Sequence, residues 1–148
     1  MRDYKKIDAW KLADDLTVAI YERTRKFPRE EMYGLTSQLR RAAYSAPANI
    51  AEGSARESRR DYLHFLYFAR GSLSETQYFL HFSRRLGYLA DFDHDSLAEQ
   101  TKVVFACLHG LIKAVERESG KVGKTLATLS SVLLLSLARF VPVVVGAP

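Results

Sequence analysis

Apolar residues recur along this chain every three or four positions, the spacing that lines one face of a helix, and the pattern holds almost from end to end. Before the last few residues no run alternates apolar and polar positions as a strand would, and no two-residue hairpin turn appears. The spacing predicts a first helix over about 5–26, with Trp10, Ala13, Thr17, Ile20, Thr24 and Phe27 on its buried stripe. Pro28 ends it, because the residue before a proline is pushed out of the helical region. A second helix over about 33–52 places Leu35, Leu39, Ala42, Ala46 and Ile50 on one face. Pro47 falls inside it. The periodicity continues to Ile50, so a kink is expected rather than a break, with Gly53 as the C-cap.

The third helix is expected to start near Ser58, where Ser58 and Asp61 have capping-box spacing, and to stop at about Leu86 because of Gly87. Its apolar residues, among them Tyr62, Leu66, Phe68, Tyr78 and Phe82, cover more than one face, which suits a central helix or one shared with another chain. The segment DFDHD (91–95) reads as a loop. Ser96 and Glu99 read as a second capping box opening helix four. That helix carries Leu97, Thr101, Val104, Leu108, Leu111 and Val115 and ends before Gly120. Four long helices with short connections predict an all-α fold, an antiparallel up-down four-helix bundle over 1–120. The segment 121–148 is an extra apolar tail rich in Leu, Ser and Thr. Its uninterrupted run falls short of the roughly 20 apolar residues of a membrane span, and Arg139 and Pro142 interrupt it. It is therefore expected to be a fifth helix or a loose tail over apolar surface, with no membrane partner.

Composition narrows the class. With 148 residues, 47% apolar and 26% charged, the chain has the make-up of one folded domain and not of a disordered segment. Its one cysteine, Cys107, excludes an intramolecular disulfide and points to a reducing, cytoplasmic setting; between apolar neighbours it reads as core. The start MRDYKKIDAW is too charged for a signal peptide. A net charge of +5 and a pI near 9.4 permit an anionic partner without requiring one.

Chemistry-bearing patterns are sparse. His64, His81, His94 and His109 form neither an HExxH nor a finger spacing, and no phosphate-binding glycine loop occurs, so no metal and no cofactor are expected. Arg59 and His64 stand as R-x4-H, a spacing similar to that of HEPN ribonucleases, in which a histidine would move the proton and an arginine would stabilise the phosphorane. Arg60 departs from the polar residue usual after that arginine. Two residues at this spacing also arise readily in a chain with 22 Lys and Arg. The reading kept is non-catalytic. Arg41, Arg56, Arg59, Arg60, Arg84 and Arg85 are the candidate phosphate contacts, since a guanidinium grips a phosphate with two parallel hydrogen bonds. Alternatively, Arg59 and Arg60 pair with Glu57 and Asp61 at a solvated helix start.

One stretch goes beyond generic bundle character. It holds Phe27, Pro28 and Glu31 as F-P-x-x-E, then Leu35, Thr36, Gln38 and Arg41 as L-T-x-Q-x-x-R. Asn49 to Gly53 follow as N-I-A-E-G, Ala69 to Leu73 with Glu75 as A-x-G-S-L, and Leu86 to Leu89 as L-G-Y-L. This series, over about 5–119, resembles the bacterial four-helix-bundle family encoded in 23S rRNA intervening sequences, related to the accessory variability protein of diversity-generating retroelements. The resemblance implies a homopentameric barrel of bundles. It also implies association with nucleic acid (RNA rather than DNA), and for the retroelement members contact with a reverse transcriptase. It offers no catalytic residue. Physically, Gly34 and Gly53 would bracket helix two, Asn49 and Glu52 would satisfy backbone groups freed by Pro47, and Ala69 and Gly71 would let a neighbouring helix come close.

Overall fold

The computed structural model describes residues 2–138, with side chains through Glu118. The chain divides into two compact units, Met1–Val115 and Glu116–Pro148. Four α-helices follow in order: α1 (Asp8–Arg23), α2 (Leu35–Ser54), α3 (Arg59–Arg85) and α4 (Asp91–Ala138). Short 3-10 turns at Tyr4–Lys6, Thr24–Lys26 and Arg29–Glu31 flank α1 and lead into α2. Among the described residues there is no strand, and the fold is an all-α bundle.

Side-chain contacts give the direction of each helix. Thr17 reaches Ala43 and Thr24 meets Arg40, so α1 and α2 run antiparallel. Ser72 meets Ser45 on α2, while Gly53 lies against Tyr62 and Phe65, which sets α2 and α3 antiparallel. Arg84 meets Asp91 across the α3–α4 turn, and Arg23 at the end of α1 meets Asp93 at the start of α4. The core fills with Leu16, Ile20, Leu39, Ile50, Leu66, Leu73, Leu80, Leu108 and Ile112, all essentially without solvent contact. The stripes expected on α1 and α2 are buried, except that Trp10 is only partly so. On α4, Ile112 takes the inner position and Leu111 packs at its edge.

Two local signals act as the sequence predicts. The Ser58 hydroxyl accepts from the Asp61 amide at 3.0 Å and donates to the Asp61 carboxylate at 2.8 Å, capping α3. At its far end Gly87 adopts φ +74°, the Tyr88 amide donates to Ser83 O and the Gly87 amide to Arg84 O, each at 3.0 Å. That is a Schellman stop, and it requires the left-handed glycine.

Other expectations are corrected. The predicted helix over 5–26 is interrupted at Ile7, whose extended backbone separates the first 3-10 turn from α1. Gly53 is not the cap of α2: the helix runs on to Ser54, and Gly53 is buried inside it. A Cβ placed there would lie 2.8 Å from Phe65 Cβ and 3.1 Å from Tyr62 Cδ2, so this glycine lets α3 approach α2. Pro47 leaves α2 unbroken. Lacking an amide hydrogen, it orphans the carbonyl of Ala43 four residues back. Neither Asn49 nor Glu52 serves that carbonyl. The Thr17 hydroxyl on α1 does, at 3.1 Å, while also lying 2.8 Å from Ala13 O. Asn49 donates instead to Ser45 O at 2.7 Å, and Glu52 pairs with Arg56.

The segment 91–95 is helix, not loop. The His94 amide already donates to Ala90 O at 2.9 Å, and Asp91 and Asp93 occupy the first turn, where the helix dipole favours carboxylates. Ser96 therefore lies inside α4, receiving a weak bond from Gln100, and does not cap it. Gly120 does not end α4, since a glycine costs a helix only about 1 kcal/mol; the helix runs to Ala138. Residues 121–138, expected as part of a fifth helix or a loose tail, are helical and continuous with α4. The side chains from residue 119 and all of 139–148, including Arg139 and Pro142, lie outside the described residues. Among the described residues, no helix is long and apolar enough to cross a membrane.

Candidate nucleic-acid interface

The six nominated arginines are spread along the bundle. The 27 residues of α3 span about 40 Å. Arg59 and Arg60 start that helix, Arg84 and Arg85 end it, and Arg41 sits within α2.

At the α2–α3 turn, Arg56 pairs with the Glu52 carboxylate and lies 4.7 Å over the Phe65 ring. Its carbonyl accepts from the Arg2 guanidinium at 3.4 Å, and the Arg2 amide donates to Ser54 O at 3.2 Å. Arg2 in turn lies 4.4 Å over the ring of Tyr62. Burial pushes the Tyr62 hydroxyl pKa up, and the Arg2 charge opposes that rise. The sequence reading missed Arg2, whose place depends on a contact with residues over fifty positions away. Arg59 is half-buried, whereas Arg60 is exposed and makes no ion pair among the described residues. Asp61 is engaged by Ser58.

At the other end, Arg84 donates to Asp91 at 2.7 Å and stands 3.8 Å from Asp95. His94 Nδ1 lies 2.9 Å from the Asp95 carboxylate and, with Arg84, holds its pKa below the usual range. Arg85 is exposed and forms no ion pair among the described residues. Arg41 is also exposed and among the described residues donates only to Gln38, at 3.0 Å.

Arg59 and His64 of the R-x4-H pair lie five residues apart on α3, about 140° around its axis. The His64 ring packs edge-on to Phe68 with centroids 4.3 Å apart. Cys107 is half-buried; burial raises its thiol pKa, and nearby Asp8 adds to the rise, the opposite of an activated nucleophile. Among the described residues no cluster of His, Cys, Asp and Glu could hold a metal ion.

A second surface emerges on the outer face of α3. His64, Phe68, Gly71, Glu75, Tyr78 and Phe82 alternate at spacings of four and three, and all are exposed. Phe68 is 50% and Tyr78 59% accessible. Gly71 has nothing within 4 Å of a would-be Cβ, so among the described residues no helix approaches there, while Ala69 faces the core. Beside the stripe lies an open groove lined by Ser45, Asn49, Tyr67, Phe68, Gly71 and Glu75, where the N-I-A-E-G and A-x-G-S-L motifs meet.

The model of the 23S rRNA-intervening sequence protein family matches residues 5–110. Among solved structures, a protein of unknown function from the S23 ribosomal protein family of Bacteroides thetaiotaomicron superposes with a TM-score of 0.66 at 24% identity, covering 71% of this chain and 95% of that one. No curated protein matches the sequence significantly.

Proposed function

Because this chain belongs to the 23S rRNA-intervening sequence protein family, we propose that it is a non-catalytic, cytoplasmic protein that associates with ribosomal or other RNA through exposed arginines and assembles with copies of itself. The observation supporting RNA association is that Arg41, Arg60 and Arg85 stand exposed without a carboxylate partner among the described residues, on a chain of net charge +5. Such guanidiniums release counterions when they neutralise phosphates, which makes binding fall with salt. Purified protein titrated with structured RNA is expected to give a log–log salt slope of several units. Reversing Arg41, Arg60 and Arg85 to Glu should lower that slope by about 2. Salt-independent binding, or no binding near 100 mM salt (about physiological screening), would reject the reading.

Self-association draws on the α3 stripe. Its four-and-three spacing is that of a helix seam, and the exposed Phe68, Tyr78 and Phe82 lose their water only against another surface. The subunit number proposed, five, comes from the family resemblance. Phe68→Glu with Tyr78→Glu is expected to leave monomer in light scattering after size exclusion. An unchanged mass would move the interface elsewhere. As a second reading, the same stripe fits an adaptor that holds another protein, such as a reverse transcriptase. That reading predicts protein capture with little salt-dependent RNA binding.

A further inference from the structure

Helix α4 runs without a break from Asp91 to Ala138, and the last of its described side chains buried in the bundle is Val115. From Glu116 on, the chain belongs to the second unit. In that unit the three-and-four spacing of apolar positions returns. At about 100° per residue, Val122, Leu126, Leu129, Leu133 and Leu137 fall within a helix sector of about 80°. Lys121, Lys124, Thr128 and Ser131 occupy positions more than about 100° from the centre of that sector.

The charge of the segment has one sign. Residues 119–148 hold Lys121, Lys124 and Arg139 and no aspartate or glutamate. Two copies of this helix would gain no ion pair from one another, and in parallel they would set like charges side by side. The uncharged run 125–138 rises only about 20 Å as helix, against about 30 Å for a hydrocarbon core. That is too short to cross a bilayer and suits a helix that lies in its interface.

We infer that residues 119–138 of α4 bind an anionic lipid surface, with the sector of Leu126, Leu129 and Leu133 at the acyl boundary and Lys121 and Lys124 among the phosphate headgroups. The apolar positions gain by leaving water, and the headgroups supply the negative charge that the segment itself lacks. Val132, Leu134 and Leu135 widen the apolar sector toward Ala138, so that end of the helix enters deepest and the lysines stay nearer the water. The Ser and Thr positions cost little there, because a helical hydroxyl can donate to the carbonyl four residues back. Thr101 does so to Leu97 O, at 2.7 Å, in the bundle half of α4. The sequence reading set a membrane aside because the run is too short to span; lying on one needs no span. The inference is independent of the RNA reading.

The experiment is flotation of full-length protein with vesicles of phosphatidylcholine alone and with vesicles of equal parts phosphatidylcholine and phosphatidylglycerol, across salt. The protein should float with the mixed vesicles, and less so as salt rises. Lys121→Gln with Lys124→Gln should weaken that binding about thirtyfold, or about fivefold for each lysine near an anionic surface. Leu129→Asp with Leu133→Asp should abolish it while leaving the melting transition of the bundle in place. The lysine variant alters no apolar position, so its result stands whether or not the leucine variant folds. Equal binding to neutral and anionic vesicles, or wild-type binding in either variant, would overturn the inference. Protein that leaves both kinds of vesicle bare would overturn it as well. If the leucine variant then has a lower mass in light scattering, the sector joins copies of the chain instead.

Discussion

Gly53→Val is expected to destabilise the bundle by about 2–3 kcal/mol, the cost of forcing extra methyl groups into a closed seam. The first added carbon already meets Phe65 Cβ at 2.8 Å. That atom is fixed to the α3 backbone and cannot swing away like the end of a long side chain. The better helix propensity of valine returns only about half a kcal/mol. Urea denaturation at fixed protein concentration should show a lower midpoint with an unchanged slope. Gly53→Ala should shift the midpoint in the same direction by less. Unchanged midpoints in both variants would mean that α2 and α3 part at this level without cost.

Thr17→Val is expected to cost about 1–3 kcal/mol, because it leaves the Ala43 carbonyl buried without a donor. The stronger statement is a coupling. Pro47→Ala restores an amide hydrogen that can reach Ala43 O within α2. In that background Thr17→Val should cost less, and the double-mutant cycle should give a coupling near 1 kcal/mol. Strict additivity would show that Thr17 serves only its own helix through Ala13 O.

The parts of the fold legible in the sequence are those whose cause is local. The Ser58 cap and the Gly87 stop each depend on a few adjacent residues, and both form. The Pro47 rescue could not be read, because its donor comes from another helix. Gly53 was misassigned for a related reason: a glycine that ends a helix and one that admits a neighbour are identical in sequence. The DFDHD run failed through ambiguity of type, since aspartates favour both turns and the first turn of a helix. For the candidate site, residue types and exposure were legible while convergence was not. Arg56, Arg59 and Arg60 are close in sequence, yet Glu52 and Phe65 hold Arg56, and Arg59 is half-buried. Arg2 gained significance only once distant segments were set side by side.

The four-residue connection between α2 and α3 bears on the order in which the molecule assembles. A loop that short closes at little entropic cost, whereas α1 with α4 must bring together residues on the order of seventy positions apart. The seam of Gly53, Tyr62 and Phe65 lies directly beside that connection. The α2–α3 hairpin is thus the natural nucleus, onto which α1 and then α4 condense. A substitution in the seam would then slow refolding, while one at the Arg23–Asp93 junction would mainly hasten unfolding.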